Sequence, residues 1–506
     1  MATQQRWVTD KYIYIMLMVF PLFTGLSGYK QLTLSKYHFM LLATGIWLAL
    51  LVFFSVRQRS LGFKPRAVHI VMLVFFAACC LSAVFSPYRN KVLLGAGRRE
   101  GLVTIATYVL IFFGVSAYGK MSRGHVHALA ISTGLTCTVA VIQLFGKDPL
   151  WLFPNGWCYY DAHTLYASEF LSTIGNTNLL SGFLCLSLPL MAAVLVTDED
   201  KQNAWILFPF SIGVFVLTAA KVSGGMVGLA VCVLVAAPVI ITDTRRLIRG
   251  IFVLSASLAS AAMALAFTAK YKNGITTVSM VFGKIPLALL ICAAAAAIFA
   301  LILIAAGDKI SISRRTMRRS MCALSLGAVL FGILFIYFFP FSEGGTLYEL
   351  SRVLHGEVRD TFGSSRIRIW KRALELVPEH FFLGGGPDTA VLRLNISFAR
   401  YVPETGQTLR TIADNAHNEY LGYLLNVGIL GLSAYLAVMV ITFTGWLKKN
   451  REKGFNPAIG CALVCYWAQG FFGLGLCIVA PIMWLLWGLL ENSFKQMEII
   501  NEELKV

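Results

Sequence analysis

The feature that most constrains this chain is the recurrence of apolar runs about 20 residues long, the length of a helix crossing a bilayer. We identify fourteen, near 12–29, 38–56, 68–86, 102–118, 126–145, 174–196, 204–220, 223–242, 250–269, 284–306, 321–341, 419–446, 458–476 and 479–491. The weakest boundary lies in 204–224, where two runs are separated by only a few residues. Charged residues make up 13% of the 506 residues, against about 25% in soluble globular chains. The expected fold class is all-α: a polytopic integral membrane protein of about 14 transmembrane helices, with 12–14 as the range. The first run contains Pro21, and no small-residue cleavage site follows it, so it reads as a retained span and not a signal peptide.

Loop charge sets an expected orientation. The segments RQRSLGFKPR (57–66), TRRLIR (244–249), RRTMRR (314–319) and KKNREK (448–453) fall on one side. The positive-inside rule makes that side cytoplasmic, together with both termini. The net charge of +18 is then mostly a topology signal, and a nucleic-acid partner is not expected. The eleven cysteines sit nearly all inside apolar runs, Cys158 being alone in a polar loop, and show no CxxC or Cys/His metal spacing. They read as thiols packed between helices. No Cys/His/carboxylate ligand cluster asks for a metal, so no metal and no cofactor are expected.

One polar excursion interrupts the pattern late in the chain. Residues 342–418 carry nine Lys/Arg and nine Asp/Glu, placing a neutral external loop between predicted spans 11 and 12. The division expected is a membrane bundle over 1–341, an extracytoplasmic lid over 342–418, and a three-span bundle with a cytoplasmic tail over 419–506. Within the lid, Gly363-Ser364-Ser365 before RIRIWKRALELV reads as an N-cap and an amphipathic helix. Arg366, Trp370 and Leu374 would share a face, and Lys371 and Glu375 would pair at i, i+4. Pro378 limits the helix and Gly384-Gly385-Gly386-Pro387 makes a turn. A second outer segment, 146–173, holds Trp151, Trp157, Tyr159 and Tyr160, which suit either the headgroup level or a platform for sugar rings.

Ionisable residues are nearly absent from the span cores and gather at the outer ends. They include Arg98, Arg99 and Glu100 before span four, Glu169 before span six, Lys221 between spans seven and eight, and His417 and Glu419 entering span twelve. A transporter of charged substrate would place such groups near the midplane. An outer-leaflet cluster suits chemistry on a lipid headgroup. There Arg366 and Lys221 would hold a lipid diphosphate, His417 would take a proton from an acceptor hydroxyl, and Glu419 or Asp414 would orient the imidazole.

At SSRIRIW, LGGGPD and HNEYLGYLLNVGILGL the sequence resembles the O-antigen ligase/polymerase family, whose members transfer glycan from an undecaprenyl-diphosphate carrier. Arg366, Trp370, His417 and Asn418 fit that pattern, with Ser365 standing where Gly is usual; GRREGLVT (97–104) and GNTNLLSGFL (175–184) also look familiar. One departure stands out. Where the family commonly has Ser-Arg-Gly, this chain reads AAKVSGGMVGL, so Ser223 stands near the Arg position and Lys221, Arg98 or Arg99 would supply the cation. The resemblance implies a glycosyltransferase-C-like bundle and a metal-independent ligase or polymerase with catalytic His417, Arg366 and Glu419. Substrate would be bound by Lys221, Arg98, Arg99, Arg368, Asn418, Trp370 and Asn176. The implied partners are a polyprenyl-diphosphate-linked glycan donor, a glycan, lipid or protein acceptor, and membrane lipid. Blander readings stand beside these: His417 as a helix cap, Arg366 snorkelling to headgroups, Trp370 as packing, and Asn176 and Asn178 bonding between helices. The alternatives for the whole chain are a lipid-linked glycan flippase and a non-catalytic membrane scaffold.

Overall fold

The computed structural model describes residues 3–58, 65–153, 159–161, 164–166, 171–272, 275–307, 312–402, 407–449 and 455–503. Each predicted span has a helical counterpart. In chain order these are α1 (Thr3–Tyr14) with a π turn and α2 (Phe20–Leu22), α3 (Leu32–Gln58), α4 (Ala67–Phe85), α5 (Leu102–Tyr118), α6 (Arg123–Leu144), α7 (Thr177–Thr197), α8 (Leu207–Ala219), α9 (Ser223–Ile240), α10 (Thr244–Ala266), α11 (Lys284–Ala306) and α12 (Arg314–Phe338). The polar segment adds the short helices α13 (Thr346–Leu354), α14 (Phe362–Leu376) and α15 (Ala390–Leu394). After it come α16 (Glu419–Lys449), α17 (Asn456–Gln469) and α18 (Ala480–Glu503). Ten helical segments among the described residues are long and apolar enough to cross a membrane. The chain is an all-helical polytopic membrane protein. Outside the helices, strands among the described residues form three two-stranded antiparallel hairpins, Tyr159–Asp161 with Thr164–Tyr166, Phe267–Lys272 with Ile275–Met280, and Ser397–Val402 with Gln407–Ile412.

Burial sorts the helices. Helix α7 is enclosed along nearly its whole length, and α5, α17 and α18 join it in one apolar core. Helices α11 and α12 present Leu, Ile and Phe outward instead, as in Ile291, Phe299, Leu324 and Phe331. In lipid such faces carry no desolvation penalty, so they belong at the bundle periphery.

Three spans differ in detail from expectation. The first ends at Leu22, not 29, and the carbonyls it frees are met by the buried Lys36, whose Nζ donates to Phe20 O at 2.8 Å and Pro21 O at 3.1 Å. A helix end in a dry environment needs such partners. The run 458–476 is helical only to Gln469, because Gly470 to Val479 turns back into the core. The third, α16, is broken at Gly428, which adopts φ 67° and ψ −173°. The region 204–224 resolves into α8 and α9 with Lys221 at the corner. Trp157, Cys158 and Glu169, and the side chains of Tyr159 and Tyr160, lie outside the described residues; Trp151 is exposed.

Candidate functional site

The break in α16 builds the site. Gly428 leaves the carbonyls before it and the amides after it without helical partners, and the 381–386 stretch supplies them. Gly385 N donates to Leu425 O and Gly386 N to Asn426 O, each at 2.9 Å, while Ile429 N donates to Phe381 O at 2.9 Å. Ser82 Oγ donates to Asn426 O at 2.8 Å, and the buried Arg393 donates through Nη2 to Leu425 O at 2.6 Å. The glycines permit this contact. A Cβ at Gly384 would strike the Asn426 backbone, and one at Gly428 would strike the Phe382 carbonyl; both residues have left-handed φ. The GGGP segment is therefore spliced into a membrane helix, more than a turn.

The splice carries Asp388 to the 97–100 turn. Its Oδ2 accepts from Gly97 N at 3.0 Å, Arg98 N at 2.9 Å and Glu100 N at 3.3 Å. Arg98 Nε in turn donates to Asp414 Oδ2 at 2.5 Å. Glu100 accepts from Tyr108 Oη at 3.0 Å and from Cys477 N at 2.5 Å. Burial, then the Asp388 charge, pushes the Glu100 carboxyl well above the usual range. Burial also raises Asp388, against the three amides that lower it. Four stretches distant in sequence thus enclose a cavity of about 80 Å³, whose lining includes Arg98, Glu100, Asp388, Asn418, Glu419 and Asn426.

Asn415, Ala416 and Asn418, on either side of His417, line that cavity. Trp370 Nε1 donates to Ala416 O at 2.9 Å, Asn415 Oδ1 accepts from His417 N at 2.8 Å, and Asn418 Oδ1 caps α16 through Leu421 N at 3.0 Å. His417 itself has left-handed φ of 47°. Its ring makes no hydrogen bond among the described residues. Burial lowers its pKa to about 4; Asp414 opposes the shift, and the charges of Arg366 and Arg98 add to it. The imidazole is accordingly neutral at pH 7.

The remaining candidates divide. Arg366 is half-buried, donates to Gly363 O at 3.3 Å, and has no carboxylate partner among the described residues. The N-cap reading is replaced by three successive left-handed residues, Gly363, Ser364 and Ser365, from which the true helix starts at Arg366. On that helix Ile369 and Ala373 are buried while Leu374 is exposed, and Lys371 pairs with Asp360 at 2.7 Å, not with Glu375, which pairs with Arg372 at 3.1 Å. Each charge takes the partner the fold delivers. Glu419 is buried and accepts from Tyr435 Oη at 2.7 Å, and Asp414 takes Arg98 and Asn415, so neither carboxylate holds the imidazole. Arg99 has left-handed φ of 64°, and its carbonyl accepts from Thr104 Oγ1. Arg368 lies over the Phe398 ring at 5.5 Å. Lys221 is exposed, and Asn176 caps α7 through Asn178 N and Leu179 N; neither lines the cavity.

Asp388, Asn426 and Arg393 were not singled out from the sequence. Their signal was the glycine-rich stretch beside Asp388, since consecutive glycines mark close backbone approach. Asp388→Ala should cost about 1–3 kcal/mol, because three amides, two of them part-buried, lose their acceptor. Thermal unfolding in detergent would measure this, and an unchanged Tm would contradict it.

Residues 284–436 match the family model described as O-Antigen ligase. No curated protein matches the chain. The match runs from α11 through the polar segment and past the break in α16, and so contains Arg366, the 384–388 splice and His417. Over this segment, less than a third of its length, the chain is similar to the O-antigen ligase family.

Proposed function

We propose that the protein is a membrane glycosyltransferase that transfers or polymerises glycan from a polyprenyl-diphosphate carrier onto an acceptor hydroxyl. The observation that carries this is the neutral His417 imidazole, without a ring hydrogen bond among the described residues, held beside a cavity and within the field of Arg366, a guanidinium that forms no ion pair among the described residues. In the proposed step the acceptor oxygen bonds to the anomeric carbon and its proton passes to His417. The carbon–oxygen bond to the diphosphate breaks, and polyprenyl diphosphate leaves with the electron pair. Arg366, with Arg98 or Arg99, offsets the charge that develops on it, without a metal ion. Lys221 supplies a further cation only if the donor extends to the α8–α9 corner. Glu419 and Asn418 set the loop from below, and Asn415 and Asp388 offer acceptors for sugar hydroxyls.

The proposed setting is a bacterial plasma membrane with both termini cytoplasmic and 342–418 as an extracytoplasmic lid between the 1–341 and 419–506 bundles. Support comes from basic clusters at one set of helix ends and from the site's place at the opposite set. Purified protein in liposomes with polyprenyl-diphosphate-linked glycan and acceptor tests the reading. Longer or conjugated glycan, with polyprenyl diphosphate released, is expected. Movement of intact donor across the bilayer without transfer would replace it with a flippase.

A pH profile gives a sharper expectation. A base with a pKa of about 4 is unprotonated across pH 5–8, so kcat/KM should stay level down to about pH 5 and fall only below it. A fall centred near the ordinary histidine value, about 6.5, would contradict the buried environment. The stability sign agrees. The unfolded chain binds this proton more readily, so stability is lost as pH falls through the interval between the two values.

A further inference from the structure

At the bundle end opposite the candidate site, a second cavity of about 610 Å³ lies among α9, α12 and the end of α16. Arg314, Arg315, Arg318 and Arg319 line it, with Cys322 beyond them. On α12 they form two columns, 314/318/322 and 315/319, spaced four residues apart and therefore on one side of the helix. Met317 and Met321 are buried, anchoring the helix so that this side is offered to the cavity. Pro238 and Val239 of α9, Thr242 just beyond its end and Leu447 of α16 supply the facing wall.

None of the four arginines has an ion-pair partner among the described residues. The carboxylate of Asp243, next to Thr242, is taken by Arg246 at 3.4 Å and caps α10 through Arg246 N. Positive-inside charge alone requires only that cations sit near a helix end. It does not require four guanidinium groups to line one cavity with no ion pair among the described residues. The volume lies in the range of small-molecule sites, and guanidinium forks suit phosphate oxygens.

We infer that this cavity binds the phosphate headgroup of an anionic phospholipid, with acyl chains lying along the exposed apolar face of α12. Basic pockets between membrane helices at the cytoplasmic surface recognise such headgroups. The site is separate from the glycan-transfer reading and shares only its orientation.

Native mass spectrometry of the full chain in detergent, titrated with cardiolipin, phosphatidylglycerol, phosphatidylcholine or inorganic pyrophosphate, tests this. Both anionic lipids should bind at least tenfold more tightly than phosphatidylcholine. Combined Arg314→Gln, Arg315→Gln, Arg318→Gln and Arg319→Gln should remove that preference, while the control pair Arg6→Gln and Arg57→Gln should change it less than twofold. Equal loss in the control would make the effect general surface charge and overturn the site. Retained preference in the fourfold variant would overturn it also. Pyrophosphate binding as tightly as the lipids would overturn the lipid assignment in favour of a free phosphate ligand. Because a misfolded fourfold variant would also lose binding, its elution and Tm in detergent must match wild type. The single variants Arg315→Gln and Arg319→Gln, each expected to weaken binding at least threefold, carry the test if it does not; full binding in both would overturn the site.

Discussion

Alanine in place of His417 is expected to lower glycan transfer by about 10²–10⁴-fold, the usual contribution of a positioned base, while the protein inserts and accumulates normally. The ring makes no hydrogen bond among the described residues, so removing it should cost little stability. Arg366→Ala should produce a comparable loss. Arg366→Lys should recover little, because an ammonium is a point charge and cannot offer a fork to the diphosphate. Both variants should leave the lipid-linked donor accumulating in membranes supplied with it. Transfer at wild-type rates in both would remove His417 and Arg366 from the reaction and favour the scaffold reading.

The second large effect concerns the splice. Valine at Gly384 or Gly428 should destabilise the protein by about 3 kcal/mol or more. Each site has left-handed φ, which costs a branched side chain about 1–3 kcal/mol, and in each the new Cβ runs into backbone on the opposite strand of the splice. Backbone cannot rotate out of the way as a side-chain tip can. Gly327→Ala is the control: its Cβ meets nothing within 4 Å, so the change should be neutral or slightly stabilising in a helix. Thermal unfolding in detergent reads all three. Wild-type stability in both valine variants would show that α16 and the 381–386 stretch are not interdependent.

The splice also explains how the site is held. Asp388 reaches the 97–100 turn only because Gly384 to Gly386 are fixed against α16, and Trp370 reaches Ala416 only because α14 packs through Ile369 and Ala373. His417 then sits between two anchored neighbours. Rigid support of this kind keeps a reacting group within the geometry its chemistry needs.

Hydropathy alone located the helices, because a bilayer requires long apolar runs with internally satisfied backbone. It also located the polar segment between two of those runs; Arg366, His417 and Asn418 within it stood out by charge near a span end and by the family resemblance of their local pattern. Their partners were not local. Lys371 finds Asp360 and not Glu375, Glu419 finds Tyr435 and not His417, and the ammonium of Lys36 finds the end of another helix. The break at Gly428 was equally hidden, for NVGILGL reads as uninterrupted helix until a second segment competes for its carbonyls. The sequence by itself determined where the chain is apolar and which chemical groups it carries. Only the tertiary structure decided which of those groups meet, because hydrogen bonds and ion pairs form by distance in space, and helix packing sets those distances.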